Sequence, residues 1–296
     1  MEIKLMPKQS YCLNSPSESI LYGGARMGGK SHLLRAMSII YASSVPKIQV
    51  CLLRRSYQEL TQNHLQGVGG YPDLLEDFID KGLCTINYSK MRIDFKNGSM
   101  ITLRHLQYES DLSSIQGSAY QLILFDEAVT FSWHMFQTVR ACLRLGPLKV
   151  PKDFPYVVPR IVAASNPGGA HGDAWKKHFV DHGDNIIWRA PPHEGGMLTQ
   201  YVPAKLEDNS IALENDPNYR QRLMGMGDPA IVEAHLNGDW SIIQGGAFSD
   251  LWSPISHVVE PFLFSGMNTE LYGNLGTVNK EAFFFSKAYD YGSSAP

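Results

Sequence analysis

Four short apolar runs punctuate the first 170 residues, and each ends in a polar or glycine-rich tip. They are Ser19-Ile-Leu-Tyr22, Lys47-Ile-Gln-Val-Cys-Leu-Leu53, Gln121-Leu-Ile-Leu-Phe125 and Arg160-Ile-Val-Ala-Ala164. Runs of this length, with little polar alternation, read as strands covered on both faces, the habit of parallel sheets with helical crossovers. Ser31–Tyr41 is an apolar helix directly after the first run. Between the second and third runs, Cys84–Arg104 alternates apolar and polar residues around Asn97-Gly98, a hairpin signal that predicts an antiparallel addition. The pattern predicts an α/β core with a mostly parallel central sheet and right-handed crossovers.

After His171 the pattern changes to short helices at 174–180, 218–224 and 230–236, which read as a lid over the strand tips. Gly245-Gly246 opens a Pro- and Gly-containing connector that runs to about Val278. Phe283-Phe-Phe then begins an apolar strand that delivers Asp290 close to the last residue. The expected division is a core at 1–170, a lid or linker subdomain at 171–245, a connector at 246–282 and the start of a second domain at 283–296. A terminal strand that pairs with the first domain is the other reading of that last segment.

Composition narrows the class. With 296 residues, 44% of them hydrophobic, the chain can bury a large core. The four cysteines, Cys12, Cys51, Cys84 and Cys142, are scattered without metal-ligand spacing, and the ten histidines show no metalloprotease pattern. No run approaches the roughly 20 apolar residues of a membrane span, and no membrane partner is expected. The net charge of −3 means that any contact with nucleic acid must come from a local patch or from several subunits together.

Candidate chemistry sits at the strand tips. Gly24-Ala25-Arg26-Met27-Gly28-Gly29-Lys30-Ser31 matches G-x-x-x-x-G-K-[ST] between a strand and a helix, the loop that wraps a nucleoside triphosphate. Its backbone N–H groups are expected to face phosphate oxygens, with Lys30 reaching the β- and γ-phosphates of ATP and Ser31 ligating Mg²⁺. The third run ends at Asp126-Glu127, where Asp126 would hold Mg²⁺ and Glu127 would polarise the attacking water. Asn166, in the tip Ser165-Asn166-Pro167-Gly168-Gly169, either senses the γ-phosphate or serves turn chemistry alone. Arg54 and Arg55 either contact phosphate or DNA or end a strand in solvent. Arg140 and Arg144, placed on one helix face, read equally as a finger for a neighbouring subunit or as a basic surface.

These motifs together resemble the large terminase subunit of tailed bacteriophages. The resemblance runs through Gln9, the loop 22–31, Leu52-Leu-Arg-Arg55, Asn97-Gly-Ser, Ile115-Gln-Gly117, Leu124-Phe-Asp-Glu-Ala128, Ala164-Ser-Asn-Pro-Gly168, Gly238-Asp-Trp240 and Ala288-Tyr-Asp-Tyr-Gly292. It implies an ASCE-type P-loop ATPase in which Gln9 recognises adenine, Arg26 acts from within the P-loop and Ser165-Asn166 couples the γ-phosphate to lid movement. It also implies an RNase H-like nuclease domain, of which Asp290 would be the first metal-binding acid. The remaining acids are absent from this chain, so no nuclease activity is expected of it. The partners implied are double-stranded DNA, the portal protein, a small terminase subunit and sister subunits in a ring on the procapsid. A monomer in isolation and a location in the host cell cytoplasm are implied as well. A helicase or other nucleic-acid translocase shares the P-loop and Asp-Glu-Ala, but would need a second sheet that the pattern after Gly169 lacks. A module that only clamps nucleotide would not need Glu127.

Overall fold

A computed structural model of the chain describes residues 3–225 and 229–240. Nine strands form one sheet: β1 (Ser19–Gly24), β2 (Gln49–Arg54), β3 (Cys84–Asn87), β4 (Arg92–Phe95), β5 (Met100–His105), β6 (Leu122–Asp126), β7 (Arg160–Ser165), β8 (Ile187–Arg189) and β9 (Leu198–Ala204). Their order is β3-β4-β5-β2-β6-β7-β1-β9-β8. From β5 to β9 neighbouring strands are parallel, while β3, β4 and β8 add antiparallel edges. All residues of β1, β6 and β7 are buried, which is why those segments read as unbroken apolar runs.

Strand alternation divides the core in two. Ile20, Tyr22, Leu122 and Leu124 face one layer, whereas Leu21, Ile123 and Phe125 face the other. The helices in chain order are α1 (Pro7–Asn14), α2 (Lys30–Ser44), α3 (Tyr57–Thr61), α4 (Tyr71–Leu74), α5 (Glu76–Asp80), α6 (Trp133–Arg140), α7 (Gly172–Phe179), α8 (Ser210–Asn215), α9 (Tyr219–Met224) and α10 (Pro229–Asn237). α2 buries Leu33, Leu34, Met37 and Tyr41 in the first layer. In the second, Phe136 of α6 and Trp175 of α7 pack against Phe125, which meets Phe131 edge-on, and Phe179 of α7 stacks on Trp175. Each such side chain contributes about 1.5–3 kcal/mol by leaving water.

α1 is pinned by a buried arginine. The Arg160 guanidinium donates to the carbonyl oxygens of Cys12 at 3.1 Å, Leu13 at 2.8 Å and Ser15 at 2.7 Å, satisfying the C-terminal end of the helix. That anchor sets where Gln9 lies relative to β1.

The structure moves the expected core boundary. β8 and β9 belong to the central sheet, and β9 pairs in parallel with β1 along its length, so the core extends past 170 to Ala204. The strand was hidden because Thr199 and Gln200 are polar yet fully buried. Gln200 is satisfied by Ser15 Oγ at 2.5 Å, Tyr11 Oη at 3.0 Å and the Asn185 carbonyl at 3.0 Å. The three helices after β9 gather a small apolar cluster of Ala25, Leu206, Leu223 and Leu236. Arg140 and Arg144 do not share a helix face: α6 stops at Arg140, and the following residues turn into an isolated bridge between Leu143 and Tyr120, just ahead of β6. The connector from 246 and the segment 283–296, with Asp290, lie outside the described residues. No helix among the described residues is long and apolar enough to cross a membrane.

Candidate active site

The phosphate loop is shaped by contacts on its outer side. Gly24 has φ +134°, and a Cβ there would stand 2.2 Å from the Ala204 carbonyl oxygen, so the first loop position accepts glycine alone. The Ala25 N–H donates to that same carbonyl at 2.8 Å. Met27 takes the left-handed conformation, φ 58°, and the loop runs through Gly28 and Gly29 into the N-terminus of α2, whose dipole favours an anion. The Lys30 ammonium is buried and donates to the Ala25 carbonyl at 2.5 Å. Burial pulls its pKa down to about 8, against the opposing pull of Glu127 and Asp126. A desolvated ammonium at the floor of such a loop is suited to a polyphosphate.

The tip of β6 supplies both acids. β6 and β7 are in register at Asp126↔Ala164, and β7 and β1 at Ala164↔Tyr22, so Asp126 stands two strands from the P-loop strand. The Ser31 hydroxyl donates to Asp126 Oδ1 at 3.0 Å. Burial alone would raise the Asp126 pKa, but His64, Arg54 and Ser31 outweigh it and hold the carboxyl down at about 2. An ionised carboxylate beside a hydroxyl is a hard-oxygen donor set and fits Mg²⁺. Among the described residues there is no cluster of three His, Cys, Asp or Glu side chains that could hold a metal alone, so phosphate oxygens and water would complete the shell.

Glu127 is held in the left-handed conformation at φ 56°, ψ 55°, a strained backbone for a residue other than glycine. Burial, and then Asp126, raise its pKa, which makes it a better base. Because β7 stands between β1 and β6, its tip falls between the P-loop and Glu127. Asn166 Nδ2 lies 3.4 Å from Glu127 Oε1, and its Oδ1 is buried without a partner among the described residues, an acceptor suited to a water.

The remaining expected residues divide. Gln9 Oε1 accepts from the Met6 N–H at 2.8 Å and Nε2 donates to the Gly29 carbonyl at 2.8 Å, tying α1 to the loop. Beside them a cavity of about 420 Å³, lined by Ile3, Met6, Gln9, Gly29, His32 and Ile211 among others, is of a size for a nucleobase and sugar. The Arg26 side chain is exposed at the loop. Arg54 donates to Asp126 and to Glu59, so its place is in the acid cluster rather than in solvent. Arg55 instead packs beside the Phe131 ring and donates to the Leu106 carbonyl. Arg140 lies over the Phe136 ring, next to Glu194 and Gly195.

Sequence reasoning missed how the lid grips the loop. Asn209 Nδ2 donates to the Met27 carbonyl at 2.6 Å, and the Arg26 N–H donates to the His235 carbonyl at 2.9 Å. Gly238, at φ +72°, brings its backbone against Gly24, and Trp240 packs on Gly23 while donating to Tyr201 Oη at 2.9 Å. It also missed His64, buried beside Asp126, for which the sequence carries no motif.

A family model described as the phage terminase large subunit matches residues 17–195. No curated protein sequence matches the chain. Among solved structures, the large terminase of a thermophilic bacteriophage gives a TM-score of 0.59 at 16% identity over 88% of this chain and 59% of that one. The complex of that terminase with ATP-γ-S gives 0.58 at 14% identity over the same shares. The large terminase ATPase domain of Thermus phage P74-26 gives 0.54 at 13% identity, over 79% of this chain and 92% of that one. At these identities the likeness is one of fold, an α/β architecture that here has a mostly parallel sheet. The chain spans 59% of the length of the thermophilic phage terminase that it matches.

Proposed function

Since the chain belongs to the phage terminase large subunit family, we propose that it hydrolyses ATP at these strand tips and that hydrolysis drives double-stranded viral DNA into a procapsid. The observation that carries the reading is the meeting of Lys30, the Ser31–Asp126 pair at 3.0 Å and the strained Glu127 on the edge formed by β1, β7 and β6. The P-loop binds the triphosphate and Lys30 places a positive charge against its β- and γ-phosphates. Ser31 and Asp126 hold Mg²⁺, which supplies charge neutralisation on the phosphate oxygens. Glu127 accepts the proton of the attacking water, and its raised pKa suits that task. Asn166, close to both Glu127 and the phosphate edge, orients that water and senses whether a γ-phosphate is present.

Lid contacts make the coupling physical. Gly238, the His235 carbonyl and Asn209 all bear on P-loop backbone, so a shift of the loop on hydrolysis displaces the lid. Gln9 and the adjoining cavity receive the adenine, and Arg26 lies where it can contact the phosphates. Assembly as a ring on the portal, with a small terminase subunit, gathers the DNA-binding charge that a single chain of net charge −3 lacks. The chain acts in the host cell cytoplasm and is monomeric before assembly.

Phosphate release measured with and without double-stranded DNA and procapsids tests the proposal. Stimulation by the complete assembly is expected. ATP turnover that neither DNA nor procapsids alter would refute the motor.

A further inference from the structure

Asp126 is held by more than the serine of the loop. After β2 and α3 the chain makes one π-helical turn, Gln62–Gln66, and this turn points His64 into the core with no exposed surface. Such turns are rare, and they recur at functional sites. His64 Nε2 lies 3.0 Å from Asp126 Oδ2, and His64 Nδ1 lies 3.3 Å from Arg35 Nη1. Arg35 is itself fixed by donating to the Asn63 carbonyl at 3.1 Å.

The tautomer follows from the donor inventory. A guanidinium can only donate, so Nδ1 must be the acceptor and Nε2 must carry the hydrogen, which it donates to Asp126. Arg54 donates to the same Oδ2. Two donors therefore load Oδ2, while Ser31 approaches Oδ1 more closely, at 3.0 Å against 3.3 Å for Oδ2. Oδ1 is the oxygen left to face the serine hydroxyl and the phosphates.

We propose that His64 is a positioning residue for the metal carboxylate, its Nε2–H fixing the rotation of Asp126 so that Oδ1 is presented to the divalent cation that accompanies the nucleotide. This rests on the ATPase reading of the site. The reason for building it on a π turn is reach: an extra residue in the turn brings the imidazole under the strand tip, where Arg35 holds it from behind. Partners of this kind around a metal ligand typically change affinity or activity 10- to 100-fold when removed.

The test compares His64→Gln with His64→Asn in the full chain, because the two amides imitate different ring nitrogens. Gln places an N–H₂ group near the Nε2 position and keeps the donor to Asp126. Asn places its amide near Nδ1 and leaves Asp126 without it. Mn²⁺ binding in the presence of ADP, followed by electron paramagnetic resonance, reads the metal directly, and binding of a fluorescent ADP in EDTA reads the nucleotide without metal. Metal affinity within about twofold of wild type in His64→Gln and weakened at least about tenfold in His64→Asn is expected, with metal-free ADP affinity unchanged in both. Equal metal affinity in the two variants, or an equal loss of metal-free ADP binding, would overturn the proposal. If wild-type protein bound neither ADP nor Mn²⁺, the ATPase reading itself would fall, a distinct outcome.

Discussion

Gly238→Ala isolates the contact between lid and P-loop. A Cβ at this position would meet Gly24 Cα at 2.8 Å and the Ala25 nitrogen at 3.0 Å, and the backbone sits at φ +72°. The left-handed conformation costs a non-glycine residue about 1–2 kcal/mol. Relieving the clash requires a shift of several tenths of an ångström against backbone on both sides, and overpacking of that kind costs about 1–3 kcal/mol. The lid is held by an apolar cluster of few side chains, Leu206, Leu223 and Leu236 around Ala25, so it yields before the sheet does. The expected result is local opening made easier by roughly 2–5 kcal/mol, which is about a 30- to 4,000-fold acceleration of hydrogen exchange at the Arg26 amide, whose acceptor is the His235 carbonyl. Gly146→Ala is the control, since Gly146 has φ +57° and nothing within 4 Å of the added Cβ. It should carry only the conformational cost and leave Arg26 unchanged. Exchange at Arg26 that is the same in Gly238→Ala as in wild type would refute the argument that the lid grips the loop.

Two further outcomes follow from buried groups away from the phosphates. Arg160→Leu strands the carbonyls of Cys12, Leu13 and Ser15, a loss of about 3–5 kcal/mol in all, and thermal unfolding should fall by roughly 10 °C; a midpoint unchanged to within about 2 °C would contradict this. His178 is pushed down from 6.5 to about 4, chiefly by burial, with Glu194 opposing the shift and Arg140 and His182 adding to it. Its native form stays neutral while the unfolded chain takes up a proton, so the contribution is complete above about pH 6.5 and is lost as the pH falls toward 4, by about 2–3 kcal/mol. Urea unfolding across that range should show a shallower loss in His178→Gln, and identical pH slopes would contradict the assignment.

The parts of the fold visible in the sequence were those where burial and hydropathy agree. β1, β6 and β7 are buried at every position and lead into Lys30, Asp126, Glu127 and Asn166, so an apolar run followed by a polar residue located both the strands and the side chains gathered at their ends. β9 was lost because its buried Thr199 and Gln200 are polar, and Gln200 is satisfied by partners such as Ser15, distant in the chain. His64 was invisible for a related reason, since its meaning depends on a π turn that no periodicity announces. The expectation for Arg140 and Arg144 failed because the helix ends at Arg140 and the chain turns into the Tyr120–Leu143 bridge, sooner than i, i+4 spacing suggests.

The most direct test of hydrolysis at these strand tips is to measure ATP binding and phosphate release side by side for wild type and Glu127→Gln, in Mg²⁺. Glu127 is a raised-pKa carboxylate beside Asn166, while the holding of the nucleotide is assigned in the proposal to Lys30, Ser31 and Asp126. Dissociation constants that agree within about twofold, with phosphate release lowered at least about 100-fold in the variant, are predicted. Phosphate release by Glu127→Gln at the wild-type rate would contradict the account.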